Sequence, residues 1–406
     1  DDAVHREMLP RFERVQAIGD EIRARSLRAI AERINTAALT PGLPLVVFNP
    51  LNWSRTEPVR CTVSLPSNMV PRLRIVDSLG RPVPHQVLGR SHEVLAQERV
   101  EAAQVAERLR WLSHELETAW GVGFAAFRLR RSTLVVEAAD PGVCSPDVVD
   151  RIAAVLRPRR GPMTVRIERS LLEIAFLAAE VPPVGYKTFV LTSGRTRTPA
   201  PSRGIVTVRG RTIENANIAV QVATDGGIVL RHRDTGRIYR GHVFEDTADA
   251  GDEYDYSPVG ERAILTFGVK GRVETVQMGP VVGILRVHLP VRLPGGLEEH
   301  RRRRKRRHVE CPVTVDVTIA AGSRRVEFKT TVENHAEDHR LRVLFPTGVT
   351  ATHSAADSQF GVVERPVGHL LQERVGDLAE LVHPGTPQDQ NVHASVIVVV
   401  RVHDVQ

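Results

Sequence analysis

The chain has 406 residues, 42% of them hydrophobic, which suffices for two or three domains with their own cores and excludes wholesale disorder. No run approaches the roughly 18 apolar residues of a membrane helix. The three cysteines (Cys61, Cys144 and Cys311) are far apart and lack any C-x-x-C spacing, so neither a disulfide framework nor a cysteine zinc site is expected. The formal net charge of +7 is concentrated in the basic run His300 to His308. Such a run attracts phosphates, yet it holds no aromatic residue for base stacking. It also follows the turn former Pro294-Gly295-Gly296, so a solvated hairpin loop is expected and nucleic acid is disfavoured as a partner. The cysteine usage and the lack of a basic-then-apolar leader point to a cytoplasmic location. The chain opens on Asp1 rather than Met, which suggests a piece of a longer protein.

In chain order, residues 1–35 predict an amphipathic helix, with Val4, Met8, Phe12, Val15, Ile18, Ile22, Ile30 and Ile34 recurring near a helical period. Pro10 should kink or restart it. The breaker cluster Thr40 to Pro44 marks a domain boundary. Strands follow at 45–48, 59–65, 73–76 and 83–88, in the rhythm of a meander. Residues 92–120 switch to helical periodicity, with Leu95, Val105, Leu109, Leu112 and Leu116 on one face. A short helix at 145–156 would take Ser145 or Asp147 as its N-cap. Strands resume at 163–167 and 172–176, and Pro199 to Gly204 reads as a linker. From residue 205 nearly everything predicts strand and turn: 205–208, 217–223, 228–232, 262–268, 272–277, 282–293, 309–319, 324–334 and 340–345. Many strands without βαβ alternation mean a large antiparallel sandwich, and Ala394 to Val400 fits a buried strand.

Several segments resemble glycoside hydrolase family 38 α-mannosidases, particularly the bacterial branch that includes mannosylglycerate hydrolases. They are VHREM at 4–8 with RFE at 11–13, VVFNPLNWSRTE at 46–57, VPPVGYKT at 181–188, and IEN at 213–215 with TG at 235–236. FED at 244–246 with DAGDEYDYSP at 249–258, DHRLRVLFPT at 338–347 and ADSQF at 356–360 complete the set. These matches run in family order. The resemblance implies a mainly β chain in three parts. Residues 1–38 would end the family's middle helical domain, 41–197 would form a small β-sandwich with a helical insertion near 90–160, and 205–406 would form a large, incomplete, galactose-mutarotase-like β-sandwich. In the family a retaining mechanism uses an Asp nucleophile and a second carboxylic acid, and zinc held by His and Asp orients the mannose. Those residues belong to an N-terminal barrel, and no position here matches them. The resemblance therefore implies a C-terminal portion that lacks the catalytic barrel and is inactive alone. No cofactor is expected in this chain, although zinc is implied for the complete enzyme, and the expected partners are an α-mannoside and the missing barrel. The pattern fails beyond His383-Pro384, as a truncation or frame change would make it.

Tyr254 aligns, by its distance to Pro258, with a tyrosine that reaches the mannose site in family members. A tyrosine ring packs on a sugar face while its hydroxyl hydrogen-bonds; Asp252 and Glu253 could accept bonds from sugar hydroxyls. The alternative is a structural loop docked on the barrel. The carboxylates Asp249, Asp252, Glu253 and Asp255 lack calcium-loop spacing, and nothing sets Asp252 and Asp357 at glycosidase separation. His335 and His339 have H-x-x-x-H spacing but lack the Glu and the helix of a zinc protease. Asp357-Ser358-Gln359 reads as barrel interface or surface turn. Phe48 and Trp53 read as core residues of the first sandwich, and His5 as solvated. A second reading makes the chain a stand-alone carbohydrate-binding or structural β-sandwich module.

Overall fold

The computed structural model describes residues 2–36, 42–194, 205–252, 255–346, 348, 351–358, 361–366 and 397–404; the side chains of residues 2, 5 and 397–404 are not among what it describes. The chain divides into two compact units, Asp1–Pro199 and Ala200–Gln406.

The first unit opens with α1 (Asp2–Ala31), which passes through Pro10 as one helix. Its apolar stripe is exposed: Phe12, Val15, Ile18 and Ile22 are each more than half accessible. An antiparallel sheet of order β1-β8-β3 follows, made of β1 (Leu43–Asn49), β3 (Leu73–Asp77) and β8 (Gly185–Ser193). It shares a core with the second sheet through Leu172, Ile174, Phe176, Phe189 and Leu191. Phe176 and Phe189 meet edge to face with ring centres 5.1 Å apart.

That second sheet contains β2 (Arg55–Ser64), β4 (His85–Glu101), β5 (Gly123–Arg130), β6 (Thr133–Ala139) and β7 (Pro162–Val181). The long β7 carries two neighbourhoods. Its second half pairs with β2, its first half runs parallel to β6, and β4 follows it from Phe176 to Pro162. Two helices, α2 (Val105–Trp120) and α3 (Val148–Leu156), cover one face of the first half. Val105, Leu109, Leu112 and Leu116 on α2 and Val148, Ile152 and Leu156 on α3 recur every three or four residues. They therefore form single stripes that bury against Leu134, Val136, Val165 and Ile167. α2 ends at Gly121 in the left-handed conformation, whose N–H returns to the Glu117 carbonyl.

Two expectations for this unit need correction, and one needs a detail. The segment 92–101 is strand, because its backbone pairs with β7 throughout and α2 begins only at Val105. Cross-strand pairing overrides a local apolar spacing that suggested helix. The 90–160 insertion therefore carries its two expected helices within a β-α-β-β-α-β layer. Asp147 occupies the N-cap of α3 without a side-chain capping bond. Trp53 is 57% exposed and Phe48 only half-buried. The residue that organises this motif is Asn49, which is 3% exposed. Its Nδ2 donates to the carbonyls of Trp53 (2.7 Å), Val181 (3.2 Å) and Pro182 (3.0 Å), while its Oδ1 accepts from Leu51 N.

The second unit faces two five-stranded sheets against each other. One is a meander of order β13-β12-β11-β10-β9, from β9 (Thr207–Arg209), β10 (Thr212–Glu214), β11 (Ile218–Val222), β12 (Ile228–His232) and β13 (Ile238–Gly241). The other has the order β16-β17-β20-β21-β25, from β16 (Arg272–Met278), β17 (Val282–Leu289), β20 (Val313–Ala320), β21 (Val326–Asn334) and β25 (Ile397–Asp404). Alternating residues such as Leu285, Val287, Val315, Val317 and Ile319 fill the core. Gly283 lets the sheets approach, since a Cβ there would lie 2.6 Å from Val206 Cγ1 and 2.9 Å from Ile213 Cδ1. Asn215 ties their ends together by donating to the carbonyls of Ala320 and Ser323.

A smaller sheet of order β15-β14-β22 is built from β14 (Val243–Ala248), β15 (Ile264–Leu265) and β22 (His339–Leu344). The hairpin β18 (Arg292–Pro294) and β19 (His308–Glu310) carries the arginine run at its tip. The exposed pair β23 (His353–Ser358) and β24 (Gly361–Pro366) places Asp357 and Ser358 at the surface, while Gln359 lies outside the described residues. The strand expected at 262–268 shortens to β15. Among the described residues no helix is long and apolar enough to cross a membrane, and all three cysteines are free. Burial, then the nearby Asp140 charge, pushes the Cys61 thiol up to about 11, which keeps it protonated and unreactive.

Candidate functional site

Every residue of β14 is buried, including Glu245, Asp246 and Thr247. A strand that buries consecutive acidic groups must supply partners, because an unpaired buried charge is costly. Glu245 is held by the guanidinium of its cross-strand neighbour Arg342, whose Nε lies 3.0 Å away. Asp246 is 2% exposed and has two partners. Arg304 from the hairpin tip forms an ion pair with Oδ1. His339 at the start of β22 donates from Nδ1 to Oδ2 at 2.5 Å, and its Nε2 lies 3.0 Å from Asn334 Oδ1.

The loop 249–258 leaves the end of β14 directly beside this cluster. Its neck is closed by Ala250 N donating to Ser257 O at 2.8 Å, and Asp249 Oδ1 accepts from both Gly251 N and Ser257 N at 2.9 Å. Gly251 is obligatory, because a Cβ there would sit 1.7 Å from the carbonyl oxygen of Asp255. Asp252 Oδ1 accepts from Asp255 N at 2.9 Å, so it caps the turn of the loop. Tyr254 and Glu253, the other two residues singled out for sugar contact, lie outside the described residues. Tyr256 stacks on Arg340, with the guanidinium carbon 3.3 Å from the ring centre, and its hydroxyl reaches Thr247 Oγ1 at 3.4 Å.

The arginine run is a hairpin tip, as expected, but it is not uniformly solvated. Arg304 is 9% exposed in its side chain and anchors on Asp246. Arg301 donates from Nη1 to Asp338 Oδ1 at 2.9 Å and from Nη2 to the Gly251 carbonyl at 3.2 Å. Lys305 faces Glu337 at 3.8 Å. Arg302, Arg303, Arg306 and Arg307 are exposed and have no carboxylate partner among the described residues. A charge run read by composition alone hides that two of its members, Arg304 with its buried side chain and the exposed Arg301, are fasteners.

His339 thus belongs to a polar cluster rather than to an H-x-x-x-H metal site. Among the described residues no group of three or more His, Cys, Asp or Glu is placed to hold a metal ion. The Asp246–His339 pair does not fit zinc, since the guanidinium of Arg304 takes the remaining carboxylate oxygen and would repel a cation. One hint of this cluster was legible: Glu245 and Asp246 stand consecutively between apolar Val243-Phe244 and Ala248, and a buried strand position demands a counter-charge. Nothing local to Asp246 names Arg304, which lies 58 residues on.

The fold is mainly β in both units, and it is shared with known proteins. Residues 213–383 match the glycosyl hydrolases family 38 C-terminal domain, so the second unit carries that domain. Across 90% of its length the chain is 23% identical to a protein of Halalkalibacterium halodurans named "Putative mannosylglycerate hydrolase". It also resembles two solved structures from Enterococcus faecalis. One is an alpha-mannosidase, with 22% identity, a TM-score of 0.63 and 89% of this chain covered. The other is a protein of glycosyl hydrolase family 38, with 21% identity, a TM-score of 0.62 and the same coverage. The structural likeness extends the shared fold to both units. This chain spans only 38% of the length of the curated relative and 38% and 40% of the two solved chains.

Proposed function

We propose that this chain is the C-terminal part of a family 38 α-mannosidase, whose two β-sandwich units brace a catalytic barrel and complete the rim of its mannose site. In this reading residues 1–38 end a helical domain, 41–197 form the first sandwich with its inserted layer, and 205–406 form the large sandwich. The match over 213–383 carries the proposal. The exposed apolar stripe of α1 supports it, because such a stripe suits packing against further helices.

Loop 249–258 is the part assigned to the sugar, with Tyr254 stacking on it and Asp252 and Glu253 accepting from its hydroxyls. Its anchoring on a buried ion pair is what a binding loop on a rigid scaffold requires. Zinc and the two catalytic carboxylates belong to the barrel. The parent protein would serve mannose metabolism in a reducing, cytoplasmic setting. The name of the H. halodurans relative makes mannosylglycerate the first substrate to try on the intact protein.

The direct test is hydrolysis of a chromogenic α-mannoside by purified residues 1–406, with and without added zinc. No turnover is expected, and turnover would overturn the reading. Adding a separately produced barrel from a family 38 protein should restore activity, and Tyr254→Ala should lower the restored rate.

A further inference from the structure

The hairpin is fastened at several points to loop 249–258 and to the residues that flank it. Arg301 Nη2 donates to Gly251 O, and Asp249 N donates to the carbonyl of Asp338, the residue that also pairs with Arg301. Arg304 N lies 3.2 Å and 3.3 Å from the two carboxylate oxygens of Glu261, just beyond the loop. Asp338 Oδ2 in turn accepts from Leu297 N at 3.2 Å, which ties the same turn to the hairpin stem.

The two central residues both have positive φ. Arg301 has φ of 52° and Asp338 has φ of 51°, the left-handed region that is unfavourable for arginine and tolerated by aspartate. Glycine would remove that cost at 301. An arginine kept in an unfavourable conformation, with its fork spent on one carboxylate and one loop carbonyl, contributes its side chain rather than its backbone preference.

We infer that Arg301 and Asp338 form a clamp that holds residues 249–252 and 255–258 in their arrangement, making Arg301 a positioning residue for the sugar-facing loop. This rests on the reading of that loop given above for its functional meaning, although the clamp itself can be measured without sugar. The four free arginines beside it keep the tip solvated and take no part in the clamp.

The experiment is amide hydrogen exchange on the full 406-residue chain, read at Ala250, Gly251, Asp255 and Ser257. Arg301→Gly relieves the strain while deleting the fork. It should speed exchange at these amides roughly three- to tenfold, as loss of a hydrogen-bonded surface pair does, with the thermal midpoint unchanged or raised. Asp338→Asn tolerates the left-handed backbone and should loosen the same amides. Arg301→Lys, which keeps the charge but not the fork, should fall between Gly and wild type, and Arg302→Ala should change nothing.

Unchanged exchange in both Arg301→Gly and Asp338→Asn overturns the clamp. So does a lowered midpoint with protection lost across the whole second unit, since that pattern belongs to a merely structural residue. Protection of these amides by methyl α-mannoside, measured separately in the barrel-complemented protein, tests the sugar reading and leaves the clamp result standing.

Discussion

The inserted layer of the first unit and the surroundings of β14 in the second handle charge in opposite ways. In the layer, α2 and α3 bury only apolar side chains against the sheet. Ion pairs such as Arg128 with Glu137 and Glu168, and Arg169 with Glu93, lie outside that core and each keeps one partner more than 40% exposed, at 2.5–2.8 Å. Around β14 two carboxylates are taken out of water and answered by guanidinium groups arriving from β22 and from the hairpin tip. The first arrangement tolerates change and needs only periodicity. The second fixes three distant segments in one geometry, and a missing partner leaves a bare charge inside.

That contrast predicts a graded series of effects. Arg304→Ala should be the most damaging, destabilising the second unit by about 3–5 kcal/mol in urea unfolding, the usual cost of stranding a buried charge. A loss below about 1 kcal/mol would mean that Asp246 is effectively solvated.

His242 comes next. It is stacked on Phe328 with ring centres 4.5 Å apart, and its Nδ1 donates to Gly226 O at 2.8 Å. Its Nε2 is buried with no partner among the described residues. Burial lowers its pKa to about 4, against the opposing bond to Gly226. Between the unfolded value near 6.5 and about 4 the unfolded chain binds the extra proton, so stability must fall as pH drops through that window. The loss approaches about 3 kcal/mol at its acid end. His242→Asn tolerates the left-handed backbone (φ 62°) and keeps a donor for Gly226. Unfolding curves at pH 7, 5 and 4 should show a shallower acid slope for this variant; parallel slopes would remove His242 from the account.

In the apolar layer, Ile152→Val should cost about 1 kcal/mol, as a single buried methylene does. Smallest of all, Arg128→Ala should shift stability by less than about 1 kcal/mol despite its two ion pairs, because the guanidinium itself is 45% exposed and screened. A larger loss would erase the distinction between the two regions.

The same contrast explains what was legible in the sequence. Periodicity found α1, α2, α3 and most strands of the large sandwich, because single-stripe burial leaves a local pattern. It misassigned 92–101, where the deciding partner, β7, lies more than sixty residues away. The family-like motifs were recognisable without their physical role. Asn49 and Asn215 within them turn out to be buried amides that stitch backbone ends together. Trp53, the conspicuous residue of the first motif, is exposed. The Asp246–Arg304–His339 cluster joins three segments, so no window of sequence contains it, and Arg304 was hidden among six other basic residues.

The pairing of β4 with β7 has a consequence for how the first unit could be edited. Glu101 and Pro162 face each other across the ladder, and Ala102 N donates to Gly161 O at 3.1 Å. The chain of the sixty residues between them leaves and rejoins the ladder at one point, with further ties to the sandwich through Asp140 on Ser64 and Glu137 on Ser67. Excising 102–161 and closing the stem with a two-residue Asn-Gly turn should therefore yield a shorter protein whose sandwich still assembles. The exposed Val165 and Ile167 would then need polar replacements.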